Sequence, residues 1–449
     1  MTVRVLLAST AYGVATLAAA LDAGLLPAAD RTVLLLSRNA AVPETAPPLD
    51  ASPGFARLAS RFDEVRSWNA TVAPFHPSAW SPRTQDVPLW ERSLRLAWDL
   101  GDEEVALVVE SLHVNPAMAI ARIFPDAPLH VYADGLMSYG PTRDRLDVLI
   151  GTRVRELLHL DLVPGLRPLL LTEFGVPARP VPTDAFGKVL DELADATGDV
   201  DLPPADRGAD GPGPALLLGQ YLAELGILTP DEEEDLHLRM LHGALARGHR
   251  RFTFKPHPTA PARQSARLAR AASEAGAELT VLDRPVLAEV LYRRRPPGLV
   301  VGCFSTALFT AATFHGLPVA RVGTELLLER LTPYQNGNRV PVTLVDALVP
   351  DLAAAPDGAG SGTAVDAAAL VTAVGFAMQP RVLADRRPEA VEYLARHLDE
   401  HTRRYFKKRR LTALGLPGGV PRQFAFLPRN AAVRRVARGA RAVKRAALG

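Results

Sequence analysis

Three short stretches carry side chains fit for chemistry. In RFTFKPHPTAP, Arg251 to Pro261, an alternating strand pattern ends at Lys255 and His257 then sits between Pro256 and Pro258. Each proline fixes its own φ and biases the residue before it towards extended geometry, so the imidazole is presented on stiff backbone. With an ordinary pKa of about 6.5, it can donate a proton near neutral pH. In LHVYADGLMSYG, Leu129 to Gly140, Asp134 and Gly135 turn the chain after a strand, with Gly135 able to take positive φ. A carboxylate there can accept a proton from an alcohol. In GLVVGCFSTALFTAATF, Gly298 to Phe314, Ser305 and Thr306 stand where a strand gives way to a helix. Unpaired N–H groups, a positive dipole end and two hydroxyls form an anion cradle that needs no metal. Each stretch also has a plain structural reading: a backbone-satisfied histidine, a turn-making Asp-Gly and a serine N-cap.

Elements must bring these stretches together. VRVLLA, RTVLLLS, VALVVE and LHVYA read as strands in the first half; ALLLGQY, RFTFKP, LTVLD, GLVVGC and LPVARVG do so in the second. Helical patterns at Val14 to Leu21, Pro116 to Ile123, Glu232 to Arg247 and Ala262 to Ala275 alternate with them. Alternation of this kind belongs to α/β folds with parallel sheets. DLPPADRGADGPGP, residues 201–214, has a linker composition, and APDGAGSGTAV, residues 355–365, reads as a surface loop. The expected division is therefore 1–200, a linker at 201–214, 215–375, and a C-terminal segment of helices and basic tail at 376–449. Two Rossmann-like domains then face each other across a cleft, with ligands beyond the carboxyl ends of the strands.

Composition narrows the class. A chain of 449 residues exceeds one ordinary core, and 48% hydrophobic with 22% charged residues is a foldable mixture. The single cysteine, Cys303, excludes an intrachain disulfide and a cysteine-rich zinc site, and fits a reducing, cytoplasmic setting. The apolar N-terminal stretch reads as strand, loop and helix rather than a signal peptide, and no run is long enough to span a bilayer. Net charge is +2, yet residues 401–449 hold 14 Lys or Arg and no Asp or Glu, which leaves residues 1–400 at −12. The basic tail is expected to meet an anionic membrane surface from the cytoplasmic side or to pack on the acidic body. An acidic body without a nucleic-acid motif argues against a nucleic-acid partner.

Other strand ends add candidates. Gly219 and Gln220 close the first strand of the second half, where Gly219 permits close approach of a nucleotide and Gln220 can bond it. Ser9, Thr10, Tyr12 and Gly13 follow the first strand, and Glu110, Ser111 and Asn115 another; Ser9, Thr10 and Asn115 are the acceptor-contact candidates. Tyr334, Gln335, Asn336 and Asn338 form a polar loop.

Taken in order and context, Asp134-Gly135, His257-Pro258 and Ser305-Thr306 resemble the acidic-Gly, His-Pro and Ser-Ser/Thr motifs of bacterial sialyltransferases, closest to the α-2,8-polysialyltransferase-like proteins. The family's first motif usually has two acidic residues before the glycine; here the first position is Ala133. The resemblance implies a GT-B fold and an inverting, metal-independent transfer from CMP-sialic acid to a glycan hydroxyl in surface-glycan synthesis, with no cofactor. It implies Asp134 as base, His257 as proton or hydrogen-bond donor to the departing phosphate, and Ser305, Thr306 and Pro258 around that phosphate. Another CMP-activated nonulosonic acid or CMP-Kdo as donor, or a non-catalytic glycan- or nucleotide-binding protein, are the alternatives.

Overall fold

The computed structural model describes residues 1–45, 47–143, 146–198, 212–257, 263–354 and 366–420. The first sheet holds β1 (Thr2–Ala8), β2 (Arg31–Leu36), β3 (Glu64–Ser67), β4 (Glu104–Glu110), β5 (Leu129–Ala133), β6 (Val154–Leu160) and β7 (Ala178–Val181), in the order β3-β2-β1-β4-β5-β6-β7. The second holds β8 (Ala215–Leu218), β9 (Arg251–Lys255), β10 (Glu278–Val281), β11 (Leu299–Gly302) and β12 (Val319–Arg321), in the order β10-β9-β8-β11-β12. All their pairings are parallel. In both, strand order reverses beside the first strand, at β1/β4 and β8/β11, and such a reversal opens a crevice at the carboxyl ends.

Continuous apolar runs made β1, β4 and β11 readable, since strands covered on both faces need no polar side. Three strands escaped the pattern. β3 and β7 are edges: β3 alternates half-buried Glu64 and Arg66 with exposed Val65 and Ser67, and β7 carries Pro180, tolerated at an edge. β6, VRELLHL, hides a charge in an apolar run. Its buried Glu156 accepts from Arg179 Nη1 at 2.7 Å and meets His130 Nδ1 at 2.9 Å, so cross-strand pairing makes that burial tolerable.

The lobes are joined by more than the connecting chain. Helix Thr183–Thr197 of the first half packs against helix Ala288–Arg294 of the second. Arg294 donates to the carbonyl of Ala194 (3.1 Å), Arg293 pairs with Asp191, and Phe186 meets Phe314 edge-on with centroids 6.1 Å apart. Further on, helix Ala367–Met378 returns to the first lobe: a Cβ at Gly375 would come 2.7 Å from Leu169. The boundary expected between residues 375 and 376 falls inside this continuous helix.

The first part of the basic tail is structural. Tyr405, Phe406 and Leu411 are buried, Arg410 donates to the carbonyls of Ala377 and Met378, and Arg404 pairs with Asp346 at 3.0 Å. Residues through 420 thus pack on the acidic body, one of the two expectations for the tail; residues 421–449 lie outside the described residues. Asp346 is the anchor, its carboxylate also accepting from Thr324 Oγ1 (2.6 Å) and Tyr405 OH (2.9 Å) and facing Arg321 at 3.1 Å. Removing one partner of a buried ion network strands the other. Asp346→Ala should therefore lower stability in urea by about 3–5 kcal/mol; a loss under about 1 kcal/mol would mean the cluster is solvated and does not hold the tail.

Candidate active site

Asp134 follows β5 and lies half-buried at the carboxyl end of the first sheet. Gly135 beside it is extended, φ −131°, not left-handed as expected. Its lack of a side chain serves approach instead: a Cβ there would stand 3.1 Å from Thr306 Oγ1 of the second lobe. The acidic turn and the hydroxyl pair, distant in sequence, therefore meet across the cleft.

The carboxylate's surroundings raise its basicity. Burial pushes the Asp134 carboxyl up to about 6. Glu110, at the end of the neighbouring strand β4, is pushed up to about 7 by burial and then by Asp134. Tyr132 OH donates to the Leu7 carbonyl (3.0 Å) and Glu110 Oε2 (3.2 Å), and Ser9 hydrogen-bonds the same carboxylate. A Cβ on Gly13 would lie 2.8 Å from Tyr132 OH and 3.5 Å from Asp134 Oδ2, so the first turn of the helix after β1 closes over this acidic pocket. Ser9 and Glu110 thus belong with Asp134. Thr10 is exposed and its hydroxyl caps the helix Ala11–Asp22, accepting from Gly13 N at 2.8 Å. Asn115 lies half-buried next to a cis bond to Pro116 and does not cap the following helix.

On the other side, His257 stacks on Tyr221 with ring centroids 3.9 Å apart. Burial first, and Lys255 second, lower the imidazole to about 4, below the ordinary value on which the expectation of a neutral-pH proton donor rests. The sequence could not show this, because it depends on which cation and which ring pack beside it. Lys255 is half-buried rather than a surface lysine, and burial lowers its own pKa against the raising influence of Glu289. Pro258 lies outside the described residues.

Ser305 caps helix Thr306–Phe309, its Oγ accepting from Ala307 N at 3.2 Å, and the helix runs on as a π-helix over Thr310–Phe314. Gln220 Oε1 accepts from Phe304 N at 3.1 Å, which ties the loop after β8 to the cradle loop after β11. That corrects its expected role as a nucleotide contact to include a structural one. Gly219 is required by internal packing: a Cβ would meet the Phe254 ring at 2.8 Å and Pro256 at 3.1 Å. Sequence reasoning missed Glu233 and Glu289. The first is buried and accepts from Leu222 N (2.7 Å) and Ala223 N (3.2 Å), steadying the loop that carries Tyr221; the second accepts from Thr310 Oγ1 (2.7 Å). Both sit in helical patterns that look like ordinary solvated faces. An open groove of about 370 Å³ lies apart from all of this, at the ends of β2 and β3, lined by Arg38, Arg66 and Asn69.

The model of the alpha-2,8-polysialyltransferase family matches residues 4–324, a span that includes every site residue named above. The chain belongs to that family. It is a glycosyltransferase, and its two parallel-sheet lobes are those of the GT-B fold. No curated protein matches the sequence. Among solved structures it is similar to the GT-B domain of a sialyltransferase from Photobacterium damselae, at 12% identity and TM-score 0.39, covering 77% of this chain and 96% of that one. It is also similar to a putative UDP-N-acetylglucosamine 2-epimerase from Listeria monocytogenes, at 11% identity and TM-score 0.42, covering 84% and 97%. Neither likeness is strong enough to align single residues.

Two measurements follow for this polysialyltransferase-family site. Gly135→Val crowds Thr306 Oγ1 and displaces it from its place beside the acidic turn, and a shift of about 1 Å at reacting groups costs about 10²-fold. Its kcat/KM should fall by about that factor with an unchanged circular dichroism spectrum; wild-type kcat/KM would show that the contact is dispensable. The Asp134 carboxyl binds its proton more tightly folded, at about 6, than an ordinary aspartate does at 3.8. Stability is therefore lost as pH rises between those values. Asp134→Asn should be more stable than wild type in urea at pH 7.5, by on the order of 1–3 kcal/mol, with the difference vanishing near pH 4. An equal stability at both pH values would place Asp134 in water.

Proposed function

We propose that the protein transfers sialic acid from CMP-sialic acid to a glycan hydroxyl with inversion at the anomeric carbon. The reading rests on the close approach of Gly135 to Thr306, which puts Asp134 beside the Ser305–Thr306 cradle. A nucleotide sugar laid across that gap has its phosphate on the second lobe and its anomeric carbon towards Asp134.

In this mechanism the acceptor hydroxyl attacks the anomeric carbon from the face opposite the phosphate. Its proton passes to Asp134, whose elevated pKa makes it a better base than an ordinary aspartate. The bond from the anomeric carbon to the phosphate oxygen breaks with its electron pair going to CMP. Lys255, the hydroxyls of Ser305 and Thr306 and the N–H groups at their helix start meet the growing negative charge, without a metal ion. His257 begins neutral and donates a hydrogen bond through its N–H. An anion beside it raises its pKa, so the departing phosphate itself makes protonation easier. CMP is already a stable leaving group near neutral pH, because a phosphate monoester loses its second proton at about 6. The transferred sugar joins a surface glycan, and the cations of residues 421–449 suit an anionic membrane near such an acceptor. Among the described residues no helix is long and apolar enough to cross a membrane.

Incubation with CMP-Neu5Ac and a sialylated acceptor tests the reading. Wild type should release CMP and extend the acceptor, and His257→Ala should lose about 10²–10⁴-fold in kcat. The activity should also fall as pH drops through about 6, where Asp134 takes up its proton. Turnover of CMP-Kdo with no release from CMP-Neu5Ac moves the donor assignment; undiminished turnover in His257→Ala removes the imidazole from the reaction.

A further inference from the structure

Tyr12 stands in the first turn of helix Ala11–Asp22, just beyond the carboxyl end of β1. Its ring packs edge-on against Phe186, centroids 5.4 Å apart, and Phe186 in turn touches Phe314 of the second lobe. The side chain is thus wedged where the lobes meet. Its hydroxyl is buried and has no hydrogen-bond partner among the described residues. Burial first, then the Glu289 and Asp134 carboxylates, keep the phenol well above its usual pKa, so it holds its proton. Glu289 is engaged with Thr310, and Tyr132 and Ser9 serve Glu110.

Buried hydroxyls almost always find a partner, and one left without costs free energy. The ring alone would pack as well as a phenylalanine. The oxygen therefore has a use only if something else reaches it. What can reach it is set by its position: it shares the first helical turn with Gly13, where a Cβ would lie 3.5 Å from Asp134 Oδ2. We propose that the Tyr12 hydroxyl donates a hydrogen bond to an oxygen of the transferred sugar. This rests on the reading of Asp134 as base and of Ser305–Thr306 as cradle.

Tyr12→Phe removes one oxygen and keeps the ring. Thermal unfolding is followed for wild type and variant alone, with CMP and with CMP-Neu5Ac, and kcat/KM is measured with CMP-Neu5Ac. The free variant should melt at or above the wild-type temperature. Stabilisation by CMP, which lacks the sugar, should be unchanged, whereas the extra stabilisation by CMP-Neu5Ac over CMP should shrink. Its kcat/KM should fall roughly 10- to 100-fold, as for loss of one buried substrate hydrogen bond. A kcat/KM within about twofold of wild type, or a free variant that melts clearly lower, overturns the proposal; the second result would mean the hydroxyl serves the empty fold. Asp134→Asn separates the layers. If it stays active, the assignment of the base fails; if it is inactive while Tyr12→Phe turns over normally, only the sugar contact fails.

Discussion

One close approach governs the site. A methyl group at residue 135 would stand 3.1 Å from Thr306 Oγ1, so the acidic turn of one lobe and the hydroxyl pair of the other lie together where a side chain would crowd them. Away from solvent each charge there acts more strongly than it would in water. The packing of helix Thr183–Thr197 on helix Ala288–Arg294 and the return of helix Ala367–Met378 hold the lobes in that relation.

Burial acts on both sides of the cleft, with opposite results. It makes carboxylates more basic, Asp134 and Glu110 alike, and makes the nitrogen bases His257 and Lys255 less so. The same burial therefore makes Asp134 the better proton acceptor and keeps His257 neutral near pH 7, and an anion placed beside the imidazole would raise it again.

The candidate strand ends were legible because parallel α/β sheets put chemistry at one place, the carboxyl end, and apolar runs such as VALVVE and GLVVGC mark those ends plainly. Asp134, His257, Ser305 and Thr306 could be chosen on that ground. The strands lost to sequence reasoning were those whose polarity is satisfied by neighbours: edges β3 and β7, and β6 with its paired Glu156. Roles were harder to read than positions. Gly135 looked like a turn glycine and is a contact glycine; Gln220 looked like a ligand group and also ties two loops; Tyr12, one of the residues after the first strand, reaches the lobe interface. Such roles depend on what packs across the cleft, and no local spacing carries that information.

The central claim is spatial, so the most direct measurement is a crystal structure with a non-transferable CMP-sugar analogue bound. The account predicts the phosphate against Ser305, Thr306 and His257, with the Asp134 carboxylate facing the anomeric carbon from the opposite side. A nucleotide seated elsewhere, for instance in the groove beside Arg38 and Asn69, with Asp134 turned away from the sugar, would contradict it.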